Sequence, residues 1–124
     1  MHKIHFTLIT FAPSGADVRV KDILLNQGHR VRALYGEDWL KAAAPVETPI
    51  ILFVGEAGLP EARIVAALDR LKGPVLGIFD EGEASNYRAL AQRCSQRLCW
   101  PGAAEDLTGM LQRISNGTAA VGNR

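Results

Sequence analysis

The sequence predicts an α/β domain in which a five-stranded parallel sheet lies between two layers of helices. Short, almost continuously apolar segments alternate with segments whose apolar residues recur at helical spacing, and this order repeats five times. The strand segments lack the apolar–polar alternation of a half-solvated sheet, so both of their faces are expected to be buried. Regular β–α alternation indicates parallel strands that are joined by right-handed crossovers.

The five segments differ in how strongly their residues favour a β-strand. The three strongest cover residues 4–10, 50–54 and 74–79, which are rich in β-branched and aromatic side chains. Two weaker segments cover residues 30–34 and 97–100. We expect the strong segments in the middle of the sheet and the weak ones at its edges.

In the segments between the predicted strands, apolar residues recur at helical spacing and form apolar stripes on the predicted helices. Ser14 and Asp17 resemble a capping box at the start of the first helix, and Gly28 is expected to end that helix. Residues 37–44 form a short second helix, and Pro60 suits the first turn of the third. The stripes of the first, third, fourth and fifth helices are Ala16, Val20, Ile23 and Leu24; Ile64, Leu68 and Leu71; Tyr87, Leu90, Ala91 and Cys94; and Leu107, Met110, Leu111 and Ile114.

The chain of 124 residues predicts one folded domain over residues 1–114. Residues 115–124 have no periodicity, and we expect them to form a flexible tail or an interdomain linker. Cys94 and Cys99 do not make a disulfide framework, which favours a reducing compartment and a cytoplasmic location.

The charge balance excludes several classes of protein. Fourteen basic and 13 acidic residues give a net charge of +1, so no strong field attracts nucleic acid or anionic lipid. No apolar run reaches the roughly 18 residues of a membrane span. Direct contact with nucleic acid or with a membrane is therefore not expected.

Motifs for cofactors and metals are also missing. The turn at residues 12–15 lacks the glycine pattern of a dinucleotide site, and no phosphate-binding P-loop motif occurs in the chain. The three histidines, His2, His5 and His29, are scattered, and the spacing from Cys94 to Cys99 does not suit a zinc site. We expect neither a cofactor nor a metal site.

Four anchors carry a resemblance to a known family. They are Gly28-His29-Arg30-Val31 at the second strand, residues 49–55 at the third, residues 74–79 at the fourth and Leu98-Cys99-Trp100-Pro101 at the fifth. In this order and spacing the chain resembles the receiver domains of bacterial response regulators from Lys3 to about Ile114. The resemblance implies the (βα)5 flavodoxin-like, or CheY-like, fold.

The resemblance also implies that the phosphorylation site has been lost. The two acids that hold Mg²⁺ in a working receiver correspond to Phe11 and Ala12, and the phosphoacceptor aspartate corresponds to Gly55. The switch threonine or serine corresponds to Phe79, and the lysine that pairs with the phosphoryl group corresponds to Trp100. We therefore expect a degenerate receiver pocket with an apolar crevice and no catalytic residue. Phosphoryl transfer there would lack its metal, its cation and its acceptor.

A narrower resemblance points to the degenerate receivers that head some sigma-54-dependent transcription activators, including flagellar master regulators. It rests on Glu37-Asp38-Trp39, on Gly55 and on Trp100-Pro101. It implies an AAA+ ATPase domain and a DNA-binding domain beyond Arg124, which would make the chain a fragment. Glu56, next to the lost acceptor, is a weaker candidate for a standing negative charge.

Receiver domains often act through the surface of helix 4, strand 5 and helix 5, which corresponds to residues 87–114. The resemblance implies a homodimer through this surface or a contact with the output domains. Large aromatic side chains dominate the energetics of interfaces, which makes Trp39 and Trp100 candidates. Trp39, beside Leu40 in a short helix, is more consistent with the core, whereas Trp100 is equally consistent with the core and with an interface. The candidate interface residues are Tyr87, Arg88, Arg97, Trp100 and Met110.

Two alternatives remain open. A flavodoxin-like enzyme or a domain that binds a small molecule or nucleotide would place its ligand over Phe11, Gly55, Phe79 and Trp100, with close backbone approach at Gly55. The missing base, nucleophile and phosphate loop disfavour it. A stand-alone scaffold without an output domain is the other alternative.

Overall fold

The computed structural model describes residues 4–11, 15–42, 49–55, 59–71, 73–80, 86–100, 102 and 104–122. It confirms the predicted α/β class and the order of its elements. The elements are β1 (His5–Thr10), α1 (Ala16–Asn26), β2 (Arg30–Tyr35), α2 (Gly36–Ala42), β3 (Ile50–Val54), α3 (Glu61–Asp69), β4 (Val75–Asp80), α4 (Arg88–Arg93), β5 (Gln96–Trp100), a 3₁₀ turn (Ala104–Asp106) and α5 (Leu107–Gly122).

All five strands are parallel, in the order β2-β1-β3-β4-β5. The two weak strand segments are the edge strands, as predicted. The strands β1 and β3 are neighbours, although β2 lies between them in sequence, so the chain reverses its direction of travel across the sheet at this point. In open α/β sheets such a reversal opens a crevice at the carboxyl ends of the two strands.

Helices cover both faces of the sheet, and each face has its own core. The first core joins the sheet to α1 and α5, and the second joins it to α2, α3 and α4. The first contains Ile4, Phe6, Leu8, Ala16, Val20, Leu24, Ile51, Phe53, Leu76, Ile78, Leu98, Leu107, Leu111 and Ile114. The second contains Ile9, Trp39, Ile50, Leu52, Val54, Ile64, Leu68, Val75, Phe79, Tyr87, Leu90, Ala91 and Cys94. The predicted stripes therefore face the sheet, and Trp39 is a core residue.

Gly77 lets two large groups pack closely in the second core. A Cβ at this position would lie 2.6 Å from Cε2 of Phe79 and 2.7 Å from Sγ of Cys94. Cys94 is buried, its thiol donates to the carbonyl oxygen of Leu90 at 3.4 Å, and burial raises the pKa of the thiol to about 11. Cys99, in contrast, is exposed. The two thiols thus differ in their access to solvent.

The helix ends differ from the prediction at the start of α1. Gly15 occupies the N-cap with φ +88°, and no side chain of the described residues caps the helix there. Ser14, the predicted cap, lies outside the described residues. Gly28 has φ +84° after the helix, as predicted for a terminating glycine. Pro60 is the N-cap of α3, one position before the first turn.

The C-terminal segment also differs from the prediction. Residues 115–122 continue α5, although they carry no apolar stripe of their own. Ser115 is buried, and its hydroxyl donates to the carbonyl oxygen of Leu111 at 2.9 Å. The helix can continue because its backbone hydrogen bonds form whether or not apolar residues recur at helical spacing. That spacing indicates only which side chains are buried. Residues 115–122 are thus helical, whereas the domain boundary at Ile114 and the role of the segment as a tail or linker stay predictions.

His29 joins three elements at the amino end of the sheet. Its Nδ1 accepts the backbone N–H of Ile4 at 3.2 Å, and its Nε2 lies 3.3 Å from the hydroxyl oxygen of Ser115. The Ser115 hydroxyl already donates to Leu111, so Nε2 is the donor and the imidazole is neutral. Burial lowers the pKa of His29. The side chain thus ties the start of β1 and the middle of α5 to the first residue before β2.

Candidate functional site

The crevice predicted from the strand order lies at the carboxyl ends of β1 and β3. The backbone N–H of Phe11 donates to the carbonyl oxygen of Phe53 at 3.0 Å, which holds the first residue after β1 against β3. Gly55 follows β3 directly, and Asp80 and Trp100 end β4 and β5. The sheet therefore places Phe11, Gly55 and Trp100 at the carboxyl ends of its strands.

Phe11 is held by residues that follow β2. Its ring meets the ring of Trp39 edge-on, with 6.3 Å between the centroids. It also lies on Gly36, where a Cβ would come 2.6 Å from Cγ of Phe11. The ring is partly buried and packs on the second core. An apolar ring thus stands at the first of the two positions where the resemblance implies acids that hold a metal.

Asp80 occupies the space beside Gly55. A Cβ at Gly55 would lie 2.6 Å from Cγ of Asp80 and 3.2 Å from its Oδ1. Val54 and Phe79 are register partners in β3 and β4, so Gly55 and Asp80 are the next residues along these two strands. A carboxylate is therefore present where a side chain of residue 55 would begin, but it comes from the neighbouring strand.

Phe79 does not line the crevice, contrary to the expectation. It is fully buried in the second core, among residues of β3, β4 and α4. Successive side chains of a strand point to opposite faces, and Phe79 has the parity of Val75 and Gly77 rather than that of Leu76 and Ile78. A large apolar ring with this parity fills the core below α4. Asp80 replaces it at the crevice.

The remaining pocket positions differ in what the structure describes. Trp100 is partly buried, packs against the first core and is the register partner of Asp80. Ala12 and Glu56 lie outside the described residues. The described pocket positions therefore contain one carboxylate, that of Asp80 on β4. The rings of Phe11 and Trp100 stand at the ends of strands on either side of β4.

Tyr87 is not available as an interface residue, contrary to the prediction. It is 5% exposed, and its hydroxyl oxygen accepts the backbone N–H of Leu59 at 3.1 Å. Its ring belongs to the stripe that α4 buries on the sheet, so the same periodicity that predicts a helix here predicts its burial. Arg88 and Arg97 are exposed, and Met110 is partly buried against the first core.

Two contacts that sequence reasoning missed tie α3 to α4. Oε2 of Glu61 accepts the backbone N–H of Leu90 at 3.1 Å, in the first turn of α4. Arg93, at the end of α4, forms an ion pair of 2.5 Å with Asp69, at the end of α3. The partners lie 24 to 29 residues apart, and no local pattern signals such a pairing. Both ends of α4 are thus connected to α3.

A cavity of about 600 Å³ lies at the carboxyl ends of β1 and β2. It is on the β2 side of the crevice, away from Gly55 and Trp100. Its lining residues combine aromatic and apolar groups with charges of both signs. They are Thr10, Phe11, Tyr35, Gly36, Glu37, Asp38, Leu40, Lys41, Leu59, Pro60 and Arg63.

The described residues do not suit a metal. No group of three or more His, Cys, Asp or Glu side chains comes together among them. Mg²⁺ takes oxygen ligands, and of the crevice side chains described here only Asp80 supplies any. Within the same residues, no helix is long and apolar enough to cross a membrane.

Comparisons with known structures decide the fold. The chain superimposes on a CheY-like response regulator from Mesorhizobium loti with a TM-score of 0.65 and 23% identity, over 89% of this chain and 98% of the other. The fold is that of a response-regulator receiver domain. Two structures of NtrX from Brucella abortus, one with ATP and one with ADP, agree. Their TM-scores are 0.65 and 0.67, with 20% and 18% identity.

Both comparisons with NtrX cover 95% of this chain and 28% of NtrX, so the chain spans less than a third of that protein. No protein-family model matches the chain, and no curated protein matches it. The receiver fold is therefore established by backbone geometry, whereas the chemistry of the pocket depends on the residues described above.

Proposed function

We propose that this domain is a receiver-like regulatory module that cannot be phosphorylated and that acts by protein–protein contact. The observation that carries the proposal is the pair of Gly55 and Asp80. The position that corresponds to the acceptor has no side chain, and the carboxylate of Asp80 fills the space beside it. The module is proposed to be neither an enzyme nor dependent on a cofactor.

The surrounding groups support the loss of phosphoryl transfer. The metal stabilises the charge that develops on the transferred group, and a cation near the acceptor adds to this effect. Here the aromatic rings of Phe11 and Trp100 stand at two of the corresponding positions. Asp80 alone cannot provide the octahedral set of oxygen ligands that Mg²⁺ requires.

Exposure to Mg²⁺ with beryllofluoride or acetyl phosphate tests the proposal. The expected amide spectrum is unchanged, and the expected mass shows no added phosphoryl group. The variant Gly55→Asp with Asp80→Ala restores a carboxylate at position 55 without the steric conflict, and it should also stay unmodified because Phe11 supplies no metal ligand. A stoichiometric adduct on the unaltered chain would contradict the proposal, and uptake by the variant alone would contradict the alignment of Phe11.

The proposed contact is a homodimer through α4, β5 and α5. Arg88 and Arg97 are exposed on this surface, and so are Glu105 and Asp106 of the 3₁₀ turn before α5. A surface with both signs of charge can be complementary to a second copy of itself. Trp100 and Met110 remain candidates for the apolar part of the contact, whereas Tyr87 is excluded by its burial.

Charge reversal tests this surface. Arg97→Glu should shift the sedimentation profile toward monomer, and Arg63→Glu, on α3 beside the cavity at β1 and β2 and outside this surface, should leave it unchanged. An unchanged profile for Arg97→Glu would remove this surface from the proposal.

The proposed setting is cytoplasmic transcriptional signalling, with AAA+ and DNA-binding output domains beyond this domain. The support is the share of NtrX that the chain spans, together with Glu37-Asp38-Trp39 and Trp100-Pro101. The reading frame around residues 1–124 tests this part. A frame that ends at Arg124 would favour a stand-alone scaffold instead.

Binding of a small molecule is a second candidate, favoured by the cavity at β1 and β2. Phe11 and Tyr35 offer aromatic surface there, and Lys41 and Arg63 offer positive charge. A melting screen with nucleotides, flavins and cyclic dinucleotides tests it, since a ligand at 100 times its Kd adds about 2.7 kcal/mol of stability. A shift that Arg63→Glu abolishes would support binding in this cavity, and a flat screen would exclude these ligands.

A further inference from the structure

The exposed large apolar side chains of the described residues lie on α1 and β2. They are Val18, 60% exposed, and Leu25, 49% exposed, on α1, and Tyr35, 73% exposed, at the end of β2. Tyr35 has the strand parity of Val31, which packs on the core beneath α1. Val18 and Leu25 are exposed on α1, and Tyr35, at the end of the neighbouring strand β2, also borders the cavity described above.

Val18 and Leu25 lie on one face of α1, seven residues apart. Lys21 and Asp22 lie between them on the same face, because residues spaced by three, four and seven share a side of a helix. This face is opposite to Ala16, Val20 and Leu24, which are buried. Along the outward face of α1, the apolar residues Val18 and Leu25 thus lie on either side of the oppositely charged residues Lys21 and Asp22.

We infer that this face of α1 is a second homotypic contact, in which α1 of one copy packs antiparallel against α1 of another. In an antiparallel pair centred between Lys21 and Asp22, Val18 is opposite Leu25 of the second copy. Lys21 is then opposite Asp22 of the second copy, and each contact occurs twice because the two-fold axis repeats it.

Charge and pattern both favour a second copy as the occupant. Lys21 and Asp22 are exposed, and neither has an ion-pair partner within the described part of the chain. The order of residues on the face is complementary to its own reverse: each apolar residue meets an apolar residue, and each charge meets the opposite charge. A partner of unrelated sequence would not require this symmetry.

The contact is independent of the proposed function and of its dimer surface. The strand β2, beside α1, and the strand β5 are the two opposite edges of the sheet. A chain with an isologous contact at each edge assembles beyond a dimer, whereas a chain with one contact stops at the dimer. Arg97→Glu removes the β5 contact alone, so this variant isolates the α1 contact.

Sedimentation equilibrium in the Arg97→Glu background, at low salt, tests the inference. Lys21→Glu places acid opposite acid, and Asp22→Lys places base opposite base, twice in each dimer. An exposed ion pair contributes little by itself, but each substitution turns two attractive pairs into two repulsive ones. We therefore expect each single substitution to raise the dissociation constant of the dimer by about tenfold.

Restoring the charges gives the decisive comparison. The double substitution Lys21→Glu with Asp22→Lys should associate like the unsubstituted face, and an equimolar mixture of the two single variants should form heterodimers. Arg19→Glu, which changes charge on α1 away from the pairing face, serves as the matched control and should associate normally. A monomer at all concentrations, or single variants that neither the double substitution nor the mixture rescues, would overturn the inference.

Discussion

Asp80 gives the crevice its one described carboxylate, and its place depends on Gly55. The two residues are next to each other across β3 and β4, and residue 55 has no Cβ to compete for the space. The crevice therefore has an acidic group beside Gly55, and this group is supplied by β4 rather than by β3.

This arrangement predicts the effect of a small side chain at position 55. Gly55→Ala should lower the free energy of unfolding by about 1 kcal/mol, because the new methyl group forces the Asp80 carboxylate to move. Gly55→Ala combined with Asp80→Ala should lose less stability than the sum of the two single losses. Urea unfolding of the four proteins measures this coupling, and additive losses would contradict the placement of Asp80.

The two cysteines are predicted to differ in reactivity. Burial raises the pKa of Cys94 to about 11, so almost none of it is thiolate at pH 8, and Cys99 is exposed. A thiol reagent at pH 8 should modify one cysteine rapidly in the folded protein and the second only in denaturant. Cys99→Ser should remove the rapid phase and Cys94→Ser should leave it; the opposite assignment would contradict the structure.

At the scale of elements, α4 is a six-residue helix that depends on its neighbours. An isolated helix of this length is unstable in water, since nucleation is costly. Glu61 accepts the N–H of Leu90, and Tyr87 accepts the N–H of Leu59, so two hydrogen bonds join the beginnings of α3 and α4. We infer that α3 and α4 unfold together.

This dependence predicts the effect of removing Glu61. Glu61→Ala should lower the free energy of unfolding by about 1 to 2 kcal/mol, because a charged acceptor is lost and the N–H of Leu90 loses its partner. Amide exchange should quicken in α4 as well as in α3. Glu105→Ala, which removes an exposed carboxylate, is the control and should change neither quantity; exchange that quickens in α3 alone would contradict the coupling.

At the scale of the whole molecule, His29 connects the first strand with the last helix. Its two ring nitrogens are both used while the imidazole is neutral, because Nδ1 accepts from Ile4 and Nε2 donates to Ser115. A proton on Nδ1 would oppose the N–H of Ile4. Protonation of His29 is therefore incompatible with the packing of β1, β2 and α5 as described.

The sign of the pH dependence follows from the lowered pKa of His29. The unfolded chain takes up a proton near the ordinary value of 6.5, whereas the folded protein does so only at lower pH. Stability from this group is complete above about pH 6.5 and declines as the pH falls from there toward the folded pKa. The decline between pH 7.5 and 5.5, measured by urea unfolding, should be smaller in His29→Gln. His5→Gln, at an exposed position, should retain the full decline; an equal decline in His29→Gln would contradict this assignment.

Much of the fold could be predicted because its signals are local. The alternation of apolar strands and helical stripes indicated the class, the two edge strands and most of the buried helix faces. The stripe containing Tyr87 also implied its burial, although the family resemblance had suggested an interface there. The candidate site was predicted less well. Phe79 was expected in the crevice, but Phe79 and Asp80 are adjacent in β4, so their side chains point to opposite faces of the sheet.

The sequence by itself determined that a parallel α/β sheet forms, since this depends only on residue type and spacing. That Phe11, Ala12 and Gly55 replace the acids of a phosphorylation site is implied by the family resemblance and stays a prediction. Only the tertiary structure decided that Asp80 occupies the space beside Gly55, that Glu61 accepts a hydrogen bond from the backbone of α4 and that Ser115 contacts His29. Each of these contacts joins residues at least 25 positions apart. Side-chain distances at that separation are set by the register of strands and the packing of helices, which no local pattern encodes.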